Sequence, residues 1–151
     1  MISSIYYRIK LFSNKRKEFY LFLKEVLGFY PGNTHLYEIA FIHKSASITD
    51  HLGNLINNER LEYLGDAILG AVVAEFLYKR FPQRDEGFLT QMRSKLVNRT
   101  FLSDLMKETG LEKFVNSKQF RKTNATSIDG DTLEALLVQF ISTKAMKKQD
   151  M

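Results

Sequence analysis

Hydrophobic residues recur every three or four positions along most of the chain, which is the period of an amphipathic α-helix. The pattern predicts helices over residues 17–29, 34–43, 57–80, 85–97, 100–109 and 128–140. Pro82 and Gly110 follow two of these segments. Proline and glycine commonly terminate helices, so both residues support the predicted helix ends. Strand patterns and internal repeats are absent, so the polar stretches 46–57 and 116–127 are expected to be loops. The sequence therefore predicts an all-α fold.

The longest of these helices, over residues 57–80, carries three carboxylates within an apolar pattern. The positions expected to form its buried stripe are Leu61, Leu64, Ile68 and Val72. Its acids are Glu59, Glu62 and Asp66, and the last two are four residues apart, on one side of the helix. Two carboxylates at that spacing can share a divalent cation. A solvated acidic face is the alternative, but apolar or small residues flank both Glu62 and Asp66, which disfavours it.

A second acidic pair lies on the last predicted helix. Asp131 and Glu134 are three residues apart and border the apolar positions Leu133, Leu136, Leu137 and Phe140. Packed helices lie about 8–10 Å apart, so two helices meeting here can direct four carboxylates into one small volume. Four such groups cannot all stay ionised without a cation, and oxygen ligands suit Mg²⁺ or Mn²⁺.

Two glycines of the longest helix, and the helix that follows it, carry packing predictions. Gly65 and Gly70 would each weaken a helix interior by roughly 1 kcal/mol relative to alanine, so they indicate close packing against a neighbour. The helix over 85–97 opens with Asp85 and Glu86. Its predicted buried residues are Phe88, Leu89, Met92 and Leu96, and its outward-facing residues are Thr90, Arg93 and Lys95.

The composition indicates one domain and few alternative chemistries. The 151 residues are 44% hydrophobic, so residues 15–151 are assigned to a single domain and residues 1–14 to an N-terminal extension. The absence of cysteine excludes thiolate metal sites. No segment has the pattern of a secretory signal or a transmembrane helix, so the chain is expected to be soluble and cytoplasmic. The net charge of +5 fits a phosphate-lined partner, because several acids are reserved for a metal.

The histidines do not suggest a metal site of their own. His35, His43 and His51 lack ligand-like spacing, so His43 is interpreted as a packed histidine at a helix end. A carboxylate-bridged di-iron bundle is also disfavoured, because it would need Glu-x-x-His pairs that the sequence lacks.

Four blocks of sequence, in the right order and spacing, carry a resemblance to a known family. The blocks are HKS at 43–45, NERLEYLGDAIL at 58–69, EGFLTQMRSKLV at 86–97 and GDTLEAL at 130–136. Together they resemble ribonuclease III, the family of double-stranded-RNA endonucleases, over roughly residues 18–138. The resemblance implies the helical endonuclease fold of that family and a Mg²⁺-dependent hydrolysis of RNA phosphodiesters, in RNA processing such as that of ribosomal RNA precursors.

The resemblance also implies roles for individual residues. The cation ligands, and hence the catalytic residues, correspond to Glu62, Asp66, Asp131 and Glu134, with Mn²⁺ able to replace Mg²⁺. The bulky residue at Tyr63 is expected to plug into a socket on the partner subunit of a homodimer. The residues expected to contact RNA or the partner subunit are Glu59, Glu86, Thr90, Arg93 and Lys95. The resemblance implies neither a small-molecule cofactor nor a membrane partner.

Two features depart from the family pattern. No double-stranded-RNA-binding domain follows, so the affinity for RNA is expected to be low and sensitive to salt. The residues after Glu134 differ from the usual small-residue continuation, which leaves a fragment, a truncated gene or a natural short form as explanations. A non-catalytic dimeric relative that binds RNA or associates with ribosomes is the alternative function, although such relatives typically lose acids at the four ligand positions.

Overall fold

The structure, a computed structural model, describes residues 14–29, 31, 34–118 and 121–149. Its contacts divide the chain into two compact units, Met1–Thr34 and His35–Met151. Apart from Asn14, the predicted N-terminal extension over residues 1–14 lies outside the described residues.

The first unit contains helix α1, Asn14–Leu27. The helix ends where Gly28 adopts the left-handed conformation, with φ at +74° and its N–H donating to the Lys24 carbonyl over 2.9 Å. The hydroxyl of Tyr20, within the helix, donates to the carbonyl of Pro31, which follows the helix, at 3.3 Å. A helix was predicted here, and the structure confirms it.

The chain then continues through five further helices and one small sheet within the described residues. In order these are α2 (Thr34–Ala40), β1 (Ile48–Thr49), β2 (Leu55–Ile56), α3 (Glu59–Arg80), α4 (Glu86–Leu96), α5 (Arg99–Glu108) and α6 (Arg121–Gln149), with 3₁₀ turns at Lys44–Ala46 and Leu111–Phe114. The prediction of an all-α fold is confirmed. None of the helices in the described part of the chain is long and apolar enough to span a membrane.

Three predictions of local structure were wrong: the end of one helix, the absence of strands in one loop and the start of the last helix. Helix α2 ends at Ala40 rather than at residue 43, because Phe41 and Ile42 continue it only through tighter i→i−3 hydrogen bonds. The predicted loop over 46–57 contains the antiparallel pair β1–β2, whose two-residue strands are too short to show alternation. The predicted loop over 116–127 is helical from Arg121, where the sequence has no hydrophobic period to indicate it.

The core forms where α6 packs against α3 on one side and α5 on the other. Buried apolar residues at these contacts include Leu77, Leu102, Met106, Ile128, Leu133, Ala135, Leu136 and Val138. Gly65 explains how closely α3 approaches α6, because a Cβ at this position would overlap the backbone carbonyl of Glu134. The packing prediction for Gly65 therefore holds. It fails for Gly70, where a Cβ would meet nothing within 4 Å.

The predicted burial of two apolar stripes was also wrong. Leu64 and Val72 on α3 are 47% and 49% exposed, although the hydrophobic pattern predicts that both are buried. No residue of α4 is buried, and its predicted core residues, Phe88, Leu89, Met92 and Leu96, are only partly covered. Both helices thus present apolar surface that the described residues do not cover.

Candidate functional site

The first acid of the site is positioned by the start of α3. Asn58, at the N-cap position, is only 1% exposed and anchors the helix to the end of α2. Its backbone N–H donates to the Ile42 carbonyl at 2.8 Å, and its side-chain amide donates to the Ala40 carbonyl at 3.2 Å. The capping bond itself comes from Asn57, whose Oδ1 accepts from the Glu59 N–H at 3.0 Å. Glu62, one turn further on, is therefore held half-buried at the edge of α6.

The other two acids lie within the buried part of α6. Asp131 and Glu134 are 5% and 7% exposed, and they face a helix that the absence of a Cβ on Gly65 brings into contact with the α6 backbone. Thr132, between them, is fully buried and donates to the Ile128 carbonyl at 2.8 Å. Two carboxylates are thus buried on one turn, which is costly unless a positive charge compensates them.

These residues form a compact cluster. Glu62, Asp131 and Glu134 each offer a carboxylate oxygen, and these three oxygens lie within 4.8 Å of one another. Asp66, the fourth acid of the predicted set, is exposed and lies outside this group of three. It borders the same open cleft, whose lining is Lys44, Glu59, Glu62, Tyr63, Leu64, Asp66, Ala67, Val97, Arg99 and Glu134.

Burial and mutual repulsion raise the pKa of two acids of the cluster, Glu134 and Glu62. Desolvation, followed by the charges of Asp66, Asp131 and Glu62, raises the pKa of Glu134 to about 7. Desolvation and the charge of Asp131 likewise raise the pKa of Glu62 above its usual range. Like-charged carboxylates in a partly dehydrated cluster do this because ionising one makes ionising the next more costly.

The cluster has the chemistry of a divalent-cation site. Its donors are carboxylate oxygens, the ligands preferred by hard cations such as Mg²⁺ and Ca²⁺. The Oδ1 atom of Asp131 is buried and has no hydrogen-bond partner among the described residues, so its lone pairs are available to a metal. A divalent ion would also neutralise the repulsion that raises the pKa of Glu134. The residues present therefore fit a metal ion.

The HKS block contributes Lys44 to the lining of the cleft, and its other two residues are joined to each other by hydrogen bonds. His43 is 3% exposed, and its Nδ1 lies 2.9 Å from the Ser45 hydroxyl and accepts from the Ser45 N–H at 3.2 Å. The Ser45 hydroxyl in turn accepts from the Lys118 N–H at 3.1 Å. His43 is packed, as predicted, and burial lowers its pKa. It caps the 3₁₀ turn rather than ending α2.

The other predicted site residues lie outside the acid cluster. Glu59 is exposed and its carboxylate lies 3.6 Å from the Lys44 ammonium. Glu86 accepts from the Thr90 hydroxyl at 2.7 Å, and both border a separate shallow groove that Arg93 also lines. The exposed residues Lys95 and Tyr63 complete the set, Tyr63 being 84% exposed at the rim of the cleft.

The position of Arg99 beside the acids was not predicted from the sequence. Its Nη2 atom lies 3.5 Å from Asp131 Oδ1, and its side chain lines the cleft with the acids. One signal was present in the sequence, because Arg99 directly follows Asn98, a good N-cap residue. A basic residue in the first turn of a helix is opposed by the helix dipole, which suggests a role other than helix stability.

Comparisons with known proteins agree on one family. The model of the ribonuclease III domain matches residues 59–142. Ribonuclease 3 of Phocaeicola vulgatus is 47% identical over 137 residues, which cover 91% of this chain and 44% of that protein. Ribonuclease 3 of Zunongwangia profunda is 46% identical over 125 residues, covering 83% of this chain and 51% of that protein. The chain thus spans about half the length of these curated relatives.

Solved structures show the same relationship. The nuclease domain of ribonuclease III from Campylobacter jejuni superposes with a TM-score of 0.67 at 30% identity, covering 85% of this chain and 92% of that one. Dicer from Pichia stipitis superposes with a TM-score of 0.53 at 32% identity, covering 73% of this chain and 48% of that one. The match to the family model takes in more than half of the sequence and includes α3 and the acidic turn of α6. The chain therefore belongs to the ribonuclease III family.

Proposed function

We propose that this chain is the catalytic domain of an endoribonuclease that hydrolyses double-stranded RNA with Mg²⁺, for which Mn²⁺ can substitute. The observation that carries the proposal is the cluster of Glu62, Asp131 and Glu134 in a member of this family, with a buried Asp131 oxygen that accepts no hydrogen bond from the described residues. A non-catalytic relative would have no use for buried acids that cost stability in the absence of a cation.

The proposed ligand set is Glu62, Asp66, Asp131 and Glu134. Asp66 is included because its charge reaches Glu134, whose pKa it raises, and because it borders the same cleft. A divalent ion bound by these carboxylates would acidify a coordinated water and neutralise charge that develops on the phosphate and the leaving 3′-oxygen.

The chain's own residues contribute positioning and proton affinity. Gly65 fixes the separation between α3 and α6, and so the distance between Glu62 and the two buried acids. Without a cation, the Glu134 carboxyl keeps its proton up to about pH 7. It must lose that proton to act as a ligand, so metal binding is coupled to proton release.

We further propose a homodimer formed through α3, with Tyr63 as the plug. Tyr63 is 84% exposed, and Leu64, Val72, Phe76 and Tyr78 leave further apolar surface on the same helix. Exposed apolar patches of this kind commonly mark protein interfaces. The Campylobacter jejuni structure is described as showing flexibility in a region involved in dimer formation, which supports an interface in this family. A two-fold dimer would present two acid clusters, one for each RNA strand.

The RNA-contacting residues are proposed on exposure and chemistry. Thr90, Arg93 and Lys95 are exposed on α4 and offer donors to phosphates and ribose hydroxyls, through which double-stranded RNA is mainly recognised. Glu59 and Glu86 are also exposed and are assigned to RNA or subunit contacts. A catalytic domain over 15–151, a cytoplasmic location and ribosomal RNA precursors as substrates complete the proposal.

Cleavage of a long double-stranded RNA at low salt tests the function. The wild type is incubated with Mg²⁺ or with chelator, beside Glu134→Gln and the control Asp104→Asn, which alters an exposed acid of α5. We expect Mg²⁺-dependent cleavage by the wild type and the control, and a loss of at least about a hundredfold in Glu134→Gln. RNA binding without cleavage by the folded wild type would instead support the non-catalytic alternative.

A further inference from the structure

Arg99 is built into the wall of the acid cluster. It is the first residue of α5, and Asn98 caps that helix by accepting from the Phe101 N–H at 2.9 Å. The stem of Arg99 lies against α6 at Gly130, where a Cβ would stand 3.6 Å from Arg99 Cγ and 3.8 Å from its Cα. These are ordinary van der Waals distances, and because Gly130 immediately precedes Asp131, the stem of Arg99 packs directly beside the acid's turn.

The guanidinium group is held at two points. Nη1 donates to the Ser127 hydroxyl at 2.8 Å, and Nη2 lies 3.5 Å from Asp131 Oδ1. The second distance is too long for a good hydrogen bond, and Oδ1 makes none with the described residues. Arg99 therefore brings a positive charge beside the acid without occupying the lone pairs that a metal would use.

Arg99 also keeps donors available. A guanidinium has five N–H groups, and the two contacts with Ser127 and Asp131 engage at most two of them. The side chain is 59% exposed, whereas that of Asp131 is only 7% exposed. Lys44, a second cation that lines the cleft, lies 3.6 Å from the Glu59 carboxylate instead of at the cluster.

The charge balance of the site calls for such a group. Three ionised carboxylates and one divalent cation leave an excess of negative charge, which would repel a phosphodiester. The Arg99 charge already favours ionisation of the acids, since it lowers the pKa of both Glu62 and Glu134 against the larger opposing effects. Arginine suits phosphate particularly well, because its planar group offers two parallel donors.

We propose that Arg99 binds a non-bridging oxygen of the RNA phosphate that enters the acid cluster, and so acts as a substrate-binding residue. This inference rests on the proposed function. A purely structural role would be different, because Arg99 would then act only through Asp131, by neutralising it and holding α5 against α6.

The test compares Arg99→Gln and Arg99→Lys with wild type, and with Lys107→Gln as a matched control. Lys107 lies at the other end of α5, is exposed and pairs with Asp104, so its replacement removes the same charge from the same helix. Cleavage kinetics with Mg²⁺ are measured over a range of KCl concentrations. Mn²⁺ affinity and unfolding temperature are measured in parallel, without RNA.

We expect Arg99→Gln to lower kcat/KM by about tenfold to a hundredfold, mostly through KM, and Arg99→Lys to lose less. The slope of log(kcat/KM) against log[KCl] should become shallower by about one in Arg99→Gln and remain unchanged in Lys107→Gln. Mn²⁺ affinity should be unchanged or higher, because a competing positive charge has been removed.

Two results would overturn the inference while leaving the function intact. One is wild-type kinetics and salt dependence in Arg99→Gln. The other is a loss of activity that tracks weaker Mn²⁺ binding or a lower unfolding temperature, which would assign Arg99 to the support of Asp131. Failure of the wild type to cleave would instead overturn the proposed function, and this inference with it.

Discussion

Helices α3 and α6 pack against each other, yet α6 buries several polar residues and α3 leaves several apolar residues exposed. The acidic turn of α6 and its continuation bury Asp129, Asp131, Thr132, Glu134 and Gln139, all below 8% exposed. By contrast, α3 is largely apolar, and its exposed residues include Tyr63, Leu64, Val72, Phe76 and Tyr78. Buried polar groups of this kind mark a candidate functional site, and exposed apolar groups mark a candidate interface.

The largest effect is expected from closing the gap between these two helices. In Gly65→Ala the new Cβ would overlap the Glu134 backbone, which cannot move without displacing α6. We expect a loss of about 3 kcal/mol or more in the free energy of unfolding, from overpacking, and a loss of cleavage. The matched change Gly70→Ala meets nothing within 4 Å and should be neutral or stabilising by up to about 1 kcal/mol.

Urea unfolding of the two glycine variants measures this difference. Equal stability of Gly65→Ala and Gly70→Ala would show that α3 and α6 do not approach as closely as the structure has them.

The proposed interface on α3 can be disrupted by adding a charge to its exposed apolar surface. Phe76 is 58% exposed, and in the proposed dimer Phe76→Glu would place an unpaired carboxylate at the interface. We expect the dimer dissociation constant to rise at least about a hundredfold, because an unpaired charge at an interface is costly. Sedimentation velocity over a range of concentrations measures it.

The control for this change is Lys107→Glu, which adds a carboxylate to the exposed side of α5. It should leave the dimer intact. A monomeric wild type, or a Phe76→Glu variant that associates as well as the wild type, would contradict the proposed interface.

The buried acids can be examined by pH in the absence of metal. Because the pKa of folded Glu134 is raised to about 7, its ionisation opposes folding, and stability is lost as pH rises from about 4.5 through 7. Glu134→Gln removes this titration, so the variant should unfold at a higher temperature than wild type at pH 8 and at a similar one at pH 4.5. His43, whose pKa is lowered by burial, opposes folding as pH falls below about 6.5, but equally in both proteins.

Circular dichroism melts with chelator test this prediction, and repeating them with saturating Mg²⁺ sharpens it. The added ion should stabilise the wild type more than Glu134→Gln, because the variant binds the ion more weakly. A variant less stable than wild type at pH 8 without metal would mean that ionisation of Glu134 does not destabilise the folded protein.

The smallest expected effect concerns a hydrogen bond to the later part of α6. Tyr37 is 1% exposed, and its hydroxyl donates to the Gln139 carbonyl at 3.1 Å. Tyr37→Phe should cost about 1 kcal/mol of unfolding free energy, the usual net value of such a bond, without affecting Mn²⁺ binding. A change in Mn²⁺ affinity would show that this end of α6 is coupled to the acids.

The helices could be predicted from the sequence because hydrophobic period is a local property. Of the four acids predicted to converge, the structure brings Glu62, Asp131 and Glu134 together and leaves Asp66 outside the group.

The sequence could not predict that Leu64 and Val72 would be exposed, since the apolar pattern of a helix does not say whether its own chain or a partner covers it. The start of α6 at Arg121 was missed because residues 121–127, which are polar except for Ala125, have no hydrophobic period of their own and extend a helix stabilised further along. Arg99 was missed because its contact with Asp131 joins residues far apart in the sequence.

Binding of Mn²⁺ shows whether Glu62, Asp131 and Glu134 hold a divalent cation, as proposed. Electron paramagnetic resonance of free Mn²⁺ gives the affinity for wild type, Glu134→Gln and the control Asp104→Asn. We predict one Mn²⁺ site per chain, from which Mg²⁺ displaces the Mn²⁺. The affinity should be unchanged in the control and at least about tenfold weaker in Glu134→Gln. Equal Mn²⁺ binding by wild type and Glu134→Gln would contradict this prediction.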